Sequence, residues 1–133
     1  MNNAKDTWSR MHKAAAAVRR PRQLSSCVDA GGVAAAVMSE SGTIYTGVCV
    51  DTSSSLGVCA ERAAIFALIT AGENAVRRVL AIMPDGRVGP PCGACRELLV
   101  QIMEGRTQDV EILLDYPEIC TATLTDLTPQ WWL

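Results

Sequence analysis

Cys59-Ala60-Glu61-Arg62 and Pro90-Pro91-Cys92-Gly93-Ala94-Cys95-Arg96 are the stretches from which the rest of this chain can be read. Each places a cysteine where a helix should begin. Pro91 suits a first helical turn, where its missing N–H removes no bond. Cys92 and Cys95 are three residues apart and so share one helical face. A helix N-terminus carries partial positive charge and unpaired N–H groups, and both stabilise a thiolate. Two such termini aimed at one point supply three thiolates, Cys59, Cys92 and Cys95, for one zinc ion. The fourth position is left open, which marks a catalytic rather than a structural zinc. Glu61 is then a carboxylate beside the metal but not on it, placed to move protons to and from an activated water.

A lone Cys-x-x-Cys would fit a zinc knuckle or a redox pair as well. Here it follows proline, and a second cysteine-bearing helix start lies upstream with strand-like sequence between. His12, the only histidine, sits far off on an N-terminal helix and reads as a surface or capping residue, not a fourth ligand. Three thiolates outweigh one Zn²⁺, so the site needs a compensating cation. Arg62, next to Glu61, is placed to supply it. Arg96, after Cys95, reads equally as a helix-surface arginine or as support for the site.

The flanking sequence alternates between strand and helix. Residues 5–19 form a helix, with Trp8, Met11, Ala15 and Val18 on one face, Asp6 or Thr7 at its start and Pro21 ending it. Gly31-Gly32 opens an apolar strand, 33–38. Ser39-Glu40-Ser41-Gly42 turns it into a second strand, 43–50, giving an antiparallel hairpin. A Ser-rich loop leads to a helix from near Val58 to Ala71-Gly72. Residues 76–83 read as a buried strand, turned by Pro84-Asp85-Gly86. A helix over 92–103 and short strands at 110–115 and 120–124 complete the chain. The pattern is an α/β domain with helices on both faces of a sheet.

Composition agrees. The chain has 133 residues, enough for one domain over 1–133, and its 49% hydrophobic content supports a core. With 5% aromatics, that core must be built from Ala, Val, Leu and Ile. A net charge of −2 argues against a surface that tracks nucleic-acid phosphates. Arg19-Arg20-Pro21-Arg22 reads as a solvated helix end. No apolar run is long enough to span a membrane. Residues 1–10 are polar and do not read as a signal peptide. A reducing cytoplasm is therefore the expected location. Cys27, Cys49 and Cys120 are expected as free thiols, buried like small hydrophobes.

The motifs match the general signature of zinc deaminases, in which His or Cys is the first ligand. From about Val33 to the C-terminus the chain resembles the cytidine deaminase family of small free-nucleoside deaminases. The resemblance implies a three-layer α/β/α fold around a mixed five-stranded sheet, with one Zn²⁺ per chain. It implies that Glu61 takes a proton from the attacking water, passes it to the ring nitrogen and later protonates the leaving amine. By the same resemblance Arg62 hydrogen-bonds a ligand sulfur, while the Ala60 amide and the Pro90 carbonyl hold the edge of the base. Leu127-Thr128-Pro129 followed by Trp132 is similar to the family's C-terminal aromatic, which reaches a neighbouring subunit's site in tetrameric members. A homotetramer is the expected assembly.

Two departures bear on the substrate. Where the family has Asn-x-Glu-Asn for the ribose, this chain has Cys49-Val50-Asp51-Thr52. Asp51 can accept from a hydroxyl, but Cys49 cannot replace the asparagine. Gly31-Gly32 stands where an aromatic residue packs on the base. The expected substrate is a cytidine-type nucleoside or a nucleoside-like small molecule, with neither nucleic acid nor membrane as a partner. A blasticidin S-type deaminase is the near alternative. A zinc-binding module without turnover is the alternative of a different class.

Overall fold

The computed structural model describes residues 3–133; Met1 and Asn2, and what the sequence suggested of them, lie outside the described residues. The elements in chain order are α1 (Asn3–Val18), β1 (Arg22–Gln23), β2 (Val28–Ser39), β3 (Ile44–Thr52), α2 (Ala60–Thr70), β4 (Val76–Ile82), α3 (Gly93–Ile102), β5 (Glu111–Asp115), β6 (Cys120–Thr123) and α4 (Leu124–Leu127). All five expected strands are present in a mixed sheet. The sixth strand, β1, is two exposed residues paired with Asp29 and Ala30 of β2, too short to carry a periodic signal.

Strand β2 is central. It pairs antiparallel with β3 and with β4; β4 runs parallel to β5, and β6 closes the sheet antiparallel to β5. Its side chains alternate between two buried faces, which explains the unbroken apolar run. Ala34, Ala36 and Met38 meet Trp8, Met11 and Ala15 of α1. Ala35 and Val37 meet Ala64, Ile65 and Leu68 of α2 and Leu99 of α3. The result is the expected three-layer arrangement. Among the described residues, no helix is long and apolar enough to cross a membrane.

Two glycines fix how the layers meet. Gly31 has φ +81° and lies in the irregular stretch of β2 between Ala30 and Ala34; a side chain there would run into the Arg20 carbonyl. The strand therefore begins at Val28 and passes through the glycine pair instead of starting after it. At Gly47 of β3 a Cβ would overlap the backbone of Ala63 and Ala64, so α2 lies hard against the sheet.

Other expectations are corrected. Burial holds only for Cys49; Cys27 and Cys120 are exposed. His12 keeps to the surface reading, partly exposed on α1, where it stacks on Tyr116 with ring centroids 4.1 Å apart. Leu124 leaves β6 to start α4, because the Thr123 hydroxyl and the Asp126 carboxylate form a reciprocal cap there.

Candidate active site

Helices α2 and α3 both begin at a cysteine. Cys59 and Cys92 occupy the N-cap positions in extended backbone, and neither side chain caps its own helix. Their thiols are thus left to face each other. The Sγ atoms of Cys59 and Cys92 are 3.3 Å apart, and those of Cys92 and Cys95 are 3.5 Å apart. All three lie within 4.8 Å of one another. Tetrahedral zinc with Zn–S bonds of about 2.3 Å sets its sulfurs about 3.8 Å apart, so the donor set fits that ion.

The electrostatics point the same way. Burial lifts the Cys95 thiol far above its ordinary range, and the negative charge of Glu61 and the other two sulfurs add to it. Burial also raises Cys92, but the Cys95 and Ala94 backbone N–H groups and the neighbouring thiols outweigh it and bring the thiol down. Three sulfurs this close cannot all ionise without a cation, and a divalent metal supplies one. The Arg62 guanidinium contributes on the near side. Its Nη2 lies 3.5 Å from the Cys59 sulfur, and that bond, with help from Cys95, makes Arg62 still harder to deprotonate.

Glu61 follows Cys59 on the first turn of α2 and is only 4% exposed. Burial pushes its carboxyl up; its own backbone N–H and Arg62 pull it part of the way back. A carboxyl lifted in this way suits a group that must both take and give a proton near neutral pH.

The site opens on a cavity of about 670 Å³. Cys59, Ala60, Glu61, Arg62, Pro90 and Cys92 line it together with Asp51, Cys49 and Gly32. Cys95 is fully buried behind them. Of the residues expected to act on metal or substrate, all but one line this cavity or, like Cys95, bring a sulfur to the cluster beside it. The exception is Trp132, which is 69% exposed and donates from Nε1 to Glu97 at 2.7 Å, away from this chain's own cavity. Arg96 is not a sulfur partner; it bonds the Pro91 and Leu127 carbonyls and ties the α3 approach to the C-terminal turn.

Cys49 has a definite role in the wall. Its sulfur accepts from the Val33 N–H at 3.2 Å and donates towards the Asp51 carboxylate at 3.7 Å. Met83 and Pro84 also line the cavity and were not foreseen. Their signal lay in topology: they follow the C-terminal end of β4, where open α/β sheets bind ligands.

No protein-family model matches the chain. Comparison with individual proteins is more informative. A cytidine deaminase of Mycobacterium tuberculosis is 34% identical over 99 residues, covering 74% of this chain and 70% of that protein. A cytidine deaminase of Sporosarcina psychrophila is 40% identical over 76 residues, and one of Halalkalibacterium halodurans is 31% identical over 77. Those two alignments cover 55% and 57% of this chain and only 54% and 58% of the relatives' own length. Among solved structures, cytidine deaminase from Mycobacterium leprae superimposes with a TM-score of 0.73 at 31% identity, over 92% of this chain and 98% of that one. The chain belongs to the cytidine deaminase family.

Proposed function

We propose that the chain is a zinc-dependent hydrolytic deaminase of cytidine-type nucleosides. The carrying observation is a buried carboxyl, Glu61, beside three convergent sulfurs at the end of a nucleoside-sized cavity. Cys59, Cys92 and Cys95 would hold one zinc per chain, and the metal would supply Lewis acidity that makes a water nucleophilic near neutral pH. Ala60 N–H and the Pro90 carbonyl grip the amide-like edge of the pyrimidine. Glu61 takes one proton from the attacking water and delivers it to the ring nitrogen, then takes the second from the hydroxyl added to the ring carbon and gives it to the departing amine. The oxygen of the water remains on the ring as the carbonyl, and the amino group leaves as ammonia. Arg62 offsets the thiolate charge throughout. Asp51, oriented by Cys49, accepts from a sugar hydroxyl at the far end.

The base has no aromatic to pack on it at Gly31 and the sugar has no amide at Cys49, which favours a substrate bulkier or more highly charged than plain cytidine, including one of blasticidin S type. The working assembly is a homotetramer in the cytoplasm, with Trp132 serving a neighbouring subunit's site. Its support is the apolar outer face of α2, where Phe66 and Ile69 stay 45% and 47% exposed. Ammonia release from cytidine, deoxycytidine, 5-substituted cytosines, blasticidin S and purine nucleosides, side by side, tests the reading. Aminopyrimidine substrates should turn over and purines should not. Zinc-loaded protein that releases no ammonia from any of them would be a binding module instead.

A further inference from the structure

Arg19 does not belong to a solvated helix end. Its side chain is half-buried, with Nε donating to the Gly32 carbonyl at 2.9 Å and Nη2 donating to the Pro84 carbonyl at 2.6 Å. Those two carbonyls come from neighbouring strands. In the β2–β4 ladder Ala35 faces Ala81 and Ala34 faces Ile82. The ladder ends at that last pair; two residues further, the same register would set Gly32 opposite Pro84. Met83 gives its N–H to the Arg87 carbonyl in the following turn, and Pro84 has no N–H with which to extend the ladder. Past Gly31 the strand also adopts a positive φ that no regular ladder accepts. The two chains part, and the guanidinium takes the place of the missing ladder bonds by donating to both sides.

The position of this gap matters because Gly32 and Pro84 are both walls of the active-site cavity. A guanidinium is rigid and planar, and its donors are fixed relative to one another. Two acceptors held by one fork are therefore held at a set separation. The backbone of the preceding turn braces the same point, since Gly31 lies directly against the Arg20 carbonyl. We propose that Arg19 is a positioning residue for the substrate, which fixes the spacing of the Gly32 and Pro84 walls and so sets nucleoside affinity without touching the reacting atoms. The proposal rests on the reading of this cavity as the nucleoside site.

The test compares Arg19→Lys and Arg19→Met with the unaltered protein for kcat and KM on cytidine, zinc content and thermal unfolding. Methionine keeps an apolar stem and loses every donor. It should raise KM about tenfold, the effect of two lost bonds from a charged donor to partly exposed carbonyls, with the loss concentrated in KM rather than kcat. Zinc content should stay at one per chain. Lysine can reach the carbonyls but cannot fix their spacing, so its KM should fall between the other two. A folded Arg19→Met protein with unchanged KM overturns the proposal, as does an equal fall in thermal stability for both variants with KM unmoved. Should Arg19→Met fail to fold, the KM of Arg19→Lys decides alone. If the unaltered protein deaminates nothing, the deaminase reading fails separately. Calorimetric binding of uridine then decides the role of Arg19: weaker binding in the variants supports it, and equal or absent binding throughout overturns it.

Discussion

At the scale of single residues, the site is a problem of charge. Three sulfurs within 4.8 Å repel one another as thiolates, and Glu61 adds to that repulsion on Cys95. A divalent cation relieves it, so removing any one sulfur should weaken metal binding severely. Elemental analysis of Cys59→Ala, Cys92→Ala and Cys95→Ala is expected to show loss of zinc in each; full occupancy after Cys59→Ala would refute the ligand set. Arg62→Ala leaves the thiolates unopposed by the guanidinium at 3.5 Å. Its kcat should fall at least about tenfold with zinc retained, the usual cost of losing a partner of a metal ligand. An unchanged kcat would make Arg62 a bystander. These residues were legible because their signal is local: helix starts, a three-residue spacing, and adjacency in sequence. Arg19 was not, since its Pro84 partner lies 65 residues away. Only the fold brings the two together, and a basic cluster before proline looks the same whether solvated or clasped.

At the scale of elements, precise delivery of Cys59 and Glu61 depends on how closely α2 lies on the sheet. Gly47 sets that distance. A Cβ there would come within 2.7 Å of the Ala63 carbonyl carbon. Gly47→Ala should therefore push α2 outward, lower stability by about 1–3 kcal/mol, as overpacking does, and reduce zinc occupancy. Thermal unfolding and metal analysis would show this; an unaltered melting temperature with full zinc would mean that the contact is soft. Helices α2 and α3 and the buried strands were legible from periodicity and composition. The start of β2 was not, because Gly31-Gly32 reads as a break. In the fold Gly31 supplies a positive φ within the strand and lets it continue. Helix α4 was missed although Thr123-x-x-Asp126 carries a capping signature, because four residues give no period to detect.

At the scale of the whole molecule, the outer side of α2 stays exposed in the single chain. Helix α2 is apolar on its outer side as well as its inner one, with Phe66 and Ile69 exposed. A helix apolar all round is normally covered. Sedimentation should find an oligomer, and Phe66→Asp should shift it towards smaller species; a monomer before and after would remove assembly from the account. Trp132 belongs to the same scale. It is exposed and bonded to Glu97, and in the proposed assembly it would meet a neighbouring subunit's cavity. Trp132→Ala should then raise KM with little change in melting temperature. The opposite pattern would make it a packing residue. None of this was legible in the sequence beyond the family resemblance, since quaternary contacts leave no local spacing to read.

The central claim is that Glu61 carries protons for a reaction staged at the three cysteines. Glu61→Gln keeps nearly the same shape, stays neutral in its buried position and cannot exchange a proton. The decisive measurement is kcat for ammonia release by this variant, alongside its zinc content. One zinc per chain, an intact fold and turnover reduced by at least about three orders of magnitude, a barrier increase of about 4 kcal/mol, are expected. A zinc-loaded Glu61→Gln protein retaining a tenth or more of the original kcat, a barrier change of about 1.4 kcal/mol or less, would contradict the claim.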